Sequence, residues 1–365
     1  MASSSCQLYS GTGKALFDWI REAKSHIEFS LLIDDGDSQN FNIAATFCRE
    51  AGIRFYPSRA EQVPGCPDHC PVDAAAVLQS RAWDFVECVS WASAATNLQV
   101  LESRPRGSRL LYTPHTQPLW TLPGHERFFM VQPVFLAMLK ASDMVFVDTP
   151  GELEHIDASL IGADRTAFIP LGVDTQHFRP SPDDPPAAAQ CFSVSDFREH
   201  RKRPDLLYRA FGAIAEDDPA MRLVLAGKGS GQVVLPPALA ARTTPLGYID
   251  DATLLHHYRQ ATAFLLMSDF EAFGLPIAEA LCCGTPVITT WQKQTARIFG
   301  DLPGVHLVDN TDIDAVRAAM RAVRHAPAAL RPAIAEAAAD RFGYASTYAR
   351  KSVVVGRLRP DAAPR

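Results

Sequence analysis

The apolar residues of this chain gather into short continuous runs, separated by stretches in which they recur every three or four positions. From His26 the runs read HIEFSLLID, IRFYPS, DFVECVSW, RLLYTPH, MVFVDTP and TAFIPLG, with helical patterns such as SQNFNIAATFCREAG between them. Runs without polar alternation suit strands buried on both faces. Their regular exchange with helical patterns predicts a parallel sheet wrapped by helices. The pattern stops at Phe178–Ala189, FRPSPDDPPAAA, where four prolines break all periodicity. That composition predicts a linker. The same order then restarts, with QCFSVSDF, MRLVLAGKG, AFLLMSD and PVITTW as strands and PDLLYRAFGAIAED, DATLLHHYRQA and PIAEALCC as helices. Ala- and Arg-rich helices carry the chain from Asp312 to about Gly356.

The expected architecture is therefore α/β, with two doubly wound, Rossmann-like domains at 1–177 and 190–342 and a linker at 178–189. A C-terminal helix and tail, 343–365, could pack back on the first domain. Ligands of such sheets lie outside the carboxyl ends of the strands, so a cleft faced by both domains is the expected site.

Composition agrees with this picture. A chain of 365 residues accommodates two cores of roughly 150 residues each. Hydrophobic residues make up 47% and charged residues 21%, which excludes extensive disorder. A net charge of −6 offers no basic field for a polyanion, so nucleic acid is not an expected partner. The start, MASSSCQLYSGTGKALF, lacks the charged beginning and apolar core of a signal peptide, and no apolar run reaches the roughly 20 residues of a membrane span. A cytoplasmic protein without a transmembrane segment is expected. Eight dispersed cysteines then read as reduced thiols rather than a disulfide framework.

The chemistry concentrates in SDFEAFGLPIAE, Ser268 to Glu279. AFLLMSD should be a buried strand, which puts Glu271 in the loop at its carboxyl end. Pro276 suits the first helical position, while Gly284 and Pro286 mark the helix end. Glu279 then lies one turn into the helix, leaning back toward Glu271. Between them Phe273, Gly274 and Leu275 present amides at a positive helix end. An anion site beside two carboxylate acceptors suits a ligand with both phosphates and hydroxyls; the plainer alternative is a capped surface helix with two solvated glutamates.

EAFGLPIAEAL followed by CCGTPVI resembles the E-x7-E element of retaining glycosyltransferases of family 4, which have the two-domain GT-B fold. IPLGVDTQHFRP, Ile169 to Pro180, resembles that family's IPNGVDxxxF segment; SVSDFREHRKRPDLLYRAF and RLVLAGKGSG resemble its post-linker strand, basic loop, helix and glycine turn. The resemblance runs from Ala167 to the C-terminus, and the first half matches in layout more than in words. It implies that Glu279 holds the ribose of a nucleotide sugar, and that Glu271 and the amides of Phe273, Gly274 and Leu275 hold the donor sugar. Lys202 aligns with the family lysine that holds the diphosphate. Ser195 and Asp196 stand where the family has an arginine, which leaves Arg198 or Arg201 to take that part. Without the resemblance, Arg201, Lys202 and Arg203 would read as a solvated helix start.

Three further groups belong to the first half. In SGTGKALF a glycine turn, Gly11 and Gly13, precedes an apparent helix and resembles the family's first glycine-rich loop for acceptor or phosphate; the alternative is a plain tight turn. It is no P-loop, because no glycine lies five residues before Gly13 and Ala15 follows Lys14 where a magnesium-binding Ser or Thr is needed. His115 in LLYTPHTQP ends a strand where the family has a histidine near the donor sugar, although a lone histidine is more often structural. Trp120, His125, Glu126 and Arg127 follow it as candidates for an acceptor site.

Two metal patterns are weak. Asp35 and Asp37 in LIDDGD form a DxD that more often marks a turn. Cys66, His69 and Cys70 in PGCPDHCP have the wrong spacing for zinc and lack a second pair. Cys282 and Cys283 should pack under the sheet.

The resemblance thus implies a retaining glycosyltransferase that takes a UDP- or GDP-linked sugar as substrate, with no cofactor and no metal, and passes it to a hydroxyl acceptor. Donor base, donor sugar, acceptor and oligomeric state are left open. A nucleotide-sugar epimerase on the same fold, or a non-catalytic nucleotide-sugar-binding protein, would share most of these features.

Overall fold

A computed structural model describes residues 2–3, 11–33, 38–56, 73–90, 93–115, 127–155, 161–187, 189–232, 235–309, 312–327 and 329–359. The chain divides into two compact units, Met1–Gly172 with Thr347–Arg365, and Val173–Ser346.

The first unit is built on a parallel sheet of strands β1 (Ala2–Ser3), β2 (Ser30–Ile33), β3 (Arg54–Tyr56), β4 (Phe85–Val89), β5 (Arg109–Thr113), β6 (Met144–Val147) and β7 (Thr166–Phe168). Their order is β3-β2-β1-β4-β5-β6-β7, so the sheet winds outward in both directions from β1. The apolar runs are the strands, and β6 is buried at every position. Leu110, Tyr112, Val145 and Val147 meet Phe135, Met138 and Leu139 of the helix Arg127–Ala141 in the core.

The second unit repeats the plan with β8 (Gln190–Val194), β9 (Arg222–Ala226), β10 (Thr243–Pro245), β11 (Ala263–Leu266), β12 (Val287–Thr290) and β13 (Val305–Val308). The order is β10-β9-β8-β11-β12-β13, again parallel throughout. β11 and β12 are fully buried, as the runs AFLL and VITT require. The helix Pro204–Asp217 starts on a proline and turns Leu206, Leu207, Ala210, Phe211 and Ile214 inward, one stripe of a 3.6-residue repeat. The edge strands β10 and β13 are half-exposed, and neither is marked by a continuous apolar run.

The division falls at Gly172/Val173, ahead of the expected boundary at 177, and 178–189 belongs to the second unit. Phe178 is buried and meets Tyr258 edge to face, with ring centroids 6.0 Å apart. The Ala187 amide donates to the Gln260 carbonyl at 2.8 Å, and Arg259 Nε donates to the Arg179 carbonyl at 2.7 Å. One aromatic ring and these hydrogen bonds make a Pro-rich stretch into a strap on the helix Asp251–Gln260.

The helix Tyr344–Arg357 returns from Thr347 onward to the first unit. Its Lys351 reaches Glu87 on β4 at 2.6 Å, and Thr113 donates to the same carboxylate at 2.6 Å. Both side chains are almost out of water, at 8% and 3% exposure. The ammonium also lies 4.8 Å from the ring centroids of Trp19 and Phe146, whose faces are negative. Such a pair is expensive to break from one side and inexpensive to replace as a whole. Lys351→Ala is therefore expected to lower unfolding stability by about 3–5 kcal/mol, whereas the double change Glu87→Leu with Lys351→Met stays near wild type. Urea unfolding of the three proteins checks this; equal losses in the single and double variants would contradict it.

Among the described residues, no helix is long and apolar enough to cross a membrane.

Candidate active site

β11 ends at Leu266, and the chain leaves it through Ser268 into the loop that carries Glu271. Two donors fasten the Ser268 carbonyl, Thr290 Oγ1 at 2.5 Å and Gln292 Nε2 at 2.6 Å. The other end of the Gln292 carboxamide accepts from the Glu271 amide at 2.9 Å, and Gln294 Nε2 donates to the Ala272 carbonyl at 3.3 Å. The loop is held from the β12 side along its length.

The turn into the next helix depends on Gly274. Its φ is +89°, and an added Cβ would lie 3.1 Å from Ile277 Cδ1 and 3.4 Å from Phe299 Cε2. Both backbone conformation and space therefore favour glycine there. The helix runs Leu275–Cys282, so Pro276 is its second residue rather than its first. Its earliest bonds are from the Ile277 and Ala278 amides to the Gly274 carbonyl, which leaves the amides of Phe273, Gly274 and Leu275 outside the helical pattern. The Phe273 ring itself is buried against Phe299 and Phe342. Phe273 can offer a ligand its amide, not its ring.

Glu279 lies one turn into this helix, buried, and Tyr258 donates its hydroxyl to Oε2 at 2.9 Å. Burial, with the charge of Glu279 beside it, holds the Tyr258 phenol well above its ordinary pKa, so it remains a donor. Cys282 and Cys283 are buried at the helix end, and burial pushes the Cys282 thiol up to about 12. They are packing groups, inert as nucleophiles.

The basic run after β8 grips the same loop. Lys202 Nζ lies 2.8 and 3.0 Å from the two oxygens of Glu271, with side-chain exposures of 12% and 5%. The Arg201 carbonyl accepts from the Asp269 amide at 2.8 Å, and its guanidinium donates to the Phe270 carbonyl at 3.2 Å and pairs with Glu199 at 2.6 Å. Arg203, at φ +43°, bridges Asp205 and Asp269. The run is thus no solvated helix start. Arg198 differs: it chelates Asp196 at 2.8 and 2.6 Å, with its side chain 57% exposed. Hydrogen bonds from Arg198 hold the Asp196 carboxyl below its usual range, and the guanidinium is neutralised where it stands.

The glycine turn after β9 closes against this segment. Gly227 has φ +105°, and a Cβ there would come 2.1 Å from the Ser195 carbonyl oxygen. The Ser195 and Phe197 amides donate to the Ala226 and Lys228 carbonyls, extending the sheet past its last strand pair. Only a residue without a side chain lets the two segments approach so closely.

In the first unit, His115 follows β5 and Asp148 follows the adjacent β6. His115 Nδ1 lies 2.8 Å from Asp148 Oδ2, and Glu152 Oε2 accepts from the Asp148 amide at 2.9 Å. Burial opposes ionisation of Asp148, but the hydrogen bond from His115 and its charge outweigh it and keep the carboxyl below its ordinary value. With Nδ1 committed to the carboxylate, Nε2 is the nitrogen left for a ligand. His115 has φ +48°, a conformation more common for histidine than for most residues. It lines a cavity of about 40 Å³ with Thr113, Glu87 and Lys351, room for a water or two.

Gly11 and Gly13 do not form a turn ahead of a helix; the helix Gly11–Ala23 already includes them. A helix start tolerates glycine, so the sequence pattern is compatible with either arrangement. Arg127 opens the helix Arg127–Ala141. Trp120, His125, Glu126, Asp35, Asp37, Cys66, His69 and Cys70 lie outside the described residues. Among the described residues no three His, Cys, Asp or Glu side chains gather to hold a metal. Sequence reasoning missed Tyr258, Gln292, Gln294 and Asp148; the only available signal was their placement in or just after elements that border the strand ends.

The profile described as Glycosyl transferases group 1 matches residues 175–341. D-inositol 3-phosphate glycosyltransferase 1 of Catenulispora acidiphila is 30% identical over 319 residues, covering 76% of this chain and 74% of that protein. The D-inositol 3-phosphate glycosyltransferase of Segniliparus rotundus is 28% identical over 215 residues, 53% of this chain and 47% of that protein. The chain spans about half the length of several such curated relatives. Among solved structures, sucrose-phosphate synthase from Thermosynechococcus elongatus superposes with a TM-score of 0.71 at 19% identity, covering 98% of both chains. HepE of Anabaena, solved in complex with UDP, gives 0.75 at 16% identity, covering 97% of this chain and 98% of its own. These likenesses identify the fold as GT-B. By its match to the family profile and to a relative covered over most of its length, the chain belongs to the group 1 glycosyl transferases.

Proposed function

We propose that this protein is a retaining, metal-independent glycosyltransferase of the family 4 type, moving a sugar from a nucleoside-diphosphate sugar to a hydroxyl acceptor. The observation that carries this reading is the nearly buried Lys202–Glu271 pair, 2.8 Å apart, set at strand carboxyl ends beside free helix amides. A carboxylate in that position accepts from sugar hydroxyls, while the ammonium and the amides face negative charge.

In the reaction the bond from the anomeric carbon to the diphosphate oxygen breaks, and its electron pair leaves with the phosphate. The acceptor oxygen bonds to the carbon from the same face, and its proton passes to the departing phosphate oxygen. Charge therefore grows on the phosphate and positive character on the sugar ring. Lys202 and the amides of Gly274 and Leu275 would stabilise the first, and Glu271 would hold the sugar and offset the second. Glu279, oriented by Tyr258, would take the ribose hydroxyls. Arg198 and Arg201 are each held by a carboxylate, Asp196 and Glu199; Arg201 is the better companion for Lys202, because its guanidinium also binds the loop that carries Glu271, at the Phe270 carbonyl. His115, fixed by Asp148, is the first unit's catalytic candidate.

HepE was also solved with UDP-glucose, so UDP-sugars are the donors to try first. The names of the curated relatives make an inositol phosphate the first acceptor to offer. A cytoplasmic setting is part of the reading, supported by Cys48, Cys88, Cys191, Cys282 and Cys283 being free and buried, as in a reducing compartment.

Release of nucleoside diphosphate from a panel of nucleotide sugars tests the proposal. Glu271→Ala and Lys202→Met should each lower kcat by about 10²- to 10³-fold, and chelator should leave wild-type turnover unchanged. Binding of the donor without transfer or hydrolysis under any acceptor would refute the enzyme reading. Tyr258→Phe should raise the donor KM about 10-fold, the equivalent of one hydrogen bond to a charged group at about 1.5 kcal/mol, with kcat held. An unchanged KM would mean that the ribose is bound elsewhere.

A further inference from the structure

The β11–β12 ladder pairs Phe264 with Val287, Leu265 with Ile288 and Leu266 with Thr289. Beyond that register the two strands part, and the backbone of β11 turns out through Ser268 toward Glu271. A side chain continues the pairing. Gln292 Nε2 donates to the Ser268 carbonyl at 2.6 Å, and Gln292 Oε1 accepts from the Glu271 amide at 2.9 Å. One carboxamide therefore does what a peptide group of a neighbouring strand would do, presenting a donor and an acceptor in one plane to two groups of one turn. The Ser268 carbonyl has a second donor in Thr290 Oγ1 at 2.5 Å. Among the described residues the Glu271 amide has Gln292 alone. Glu271 is thereby gripped at both ends, its amide by Gln292 and its carboxylate by Lys202 at 2.8 and 3.0 Å.

We propose that Gln292 is a positioning residue for Glu271: its carboxamide sets the Ser268–Glu271 turn, and through it the place of the carboxylate against the sugar of the donor. This inference rests on the transferase reading for its catalytic consequence, but the local restraint is observable without turnover. Glu279 accepts from Tyr258, whereas the two carboxamide bonds of Gln292 go to the Ser268–Glu271 turn, so the nucleoside end of the ligand should not feel its loss. A misplacement of about 1 Å at a reacting group can cost on the order of 10²-fold in rate, which sets the scale of the expected effect.

Two full-length variants test this. Gln292→Met keeps the length of the side chain and removes both bonds. It should lower kcat about 10- to 100-fold, leave the UDP affinity unchanged, and speed hydrogen exchange at the Glu271 amide. Gln292→Glu restores the pattern only when protonated, since the neutral acid both donates to Ser268 and accepts from Glu271. The ionised form loses the donor and sets a like charge near Glu271. The ratio of Gln292→Glu turnover to wild type should therefore rise as pH falls, a signature that loss of stability alone would not produce. The inference is overturned if Gln292→Met keeps wild-type kcat, if exchange at Glu271 does not change, or if the turnover ratio is flat with pH. A wild-type protein that turns over no nucleotide sugar would sink the transferase reading, and exchange at Glu271 would still decide whether Gln292 holds the turn.

Discussion

A carboxylate and an ammonium can both leave water only when each answers the other and further hydrogen bonds satisfy what remains. Lys202 and Glu271 meet the first condition, and the arrangement around them meets the second. Arg201 and Arg203 bind the backbone and Asp269 on one side of the loop; Gln292, Gln294 and Thr290 bind it on the other. Gly274 then lets the chain turn at positive φ into a helix whose first amides stay available. Without the loop so fixed, the charged pair would be a liability to the second unit. With it, both charges are held in one geometry, which is what the proposed donor site requires.

Much of this was present in the order of residues. AFLL and VITT are continuous apolar runs because β11 and β12 are covered on both faces, and PDLLYRAFGAIAED shows its helical stripe for the same reason. Burial imposes a pattern on a strand, so the half-exposed edges β10 and β13 carry no such mark. The glutamates were visible because a glycine and a proline fix where the helix must begin. Gln292 was not, since a glutamine just past a strand looks like any polar loop residue until the distance to Glu271 is known.

Charge is equally ambiguous in one dimension. Arg198 and Arg201 were interchangeable on paper as phosphate ligands, and their neighbours differ: Asp196 pairs with Arg198 and Glu199 with Arg201, and Arg201 also reaches the Phe270 carbonyl. His115 was placed at a strand end by the pattern. Its partner Asp148 became apparent only when β5 and β6 proved adjacent. Phe178, a single ring in a Pro-rich stretch, was enough to turn an expected linker into part of a core.

The buried bond between Glu87 and Lys351 has a meaning for the order of synthesis. The second unit is one unbroken stretch of chain, Val173 to Ser346, whereas the first is completed by residues from Thr347 onward. While a ribosome is still making the chain, the Glu87 carboxylate has no ammonium to meet, and Trp19 and Phe146 have no cation between their faces. The first unit is therefore the one that must wait: the second can fold as soon as its own residues emerge, whereas the sheet that carries β4 is completed only when the helix Tyr344–Arg357 has been delivered.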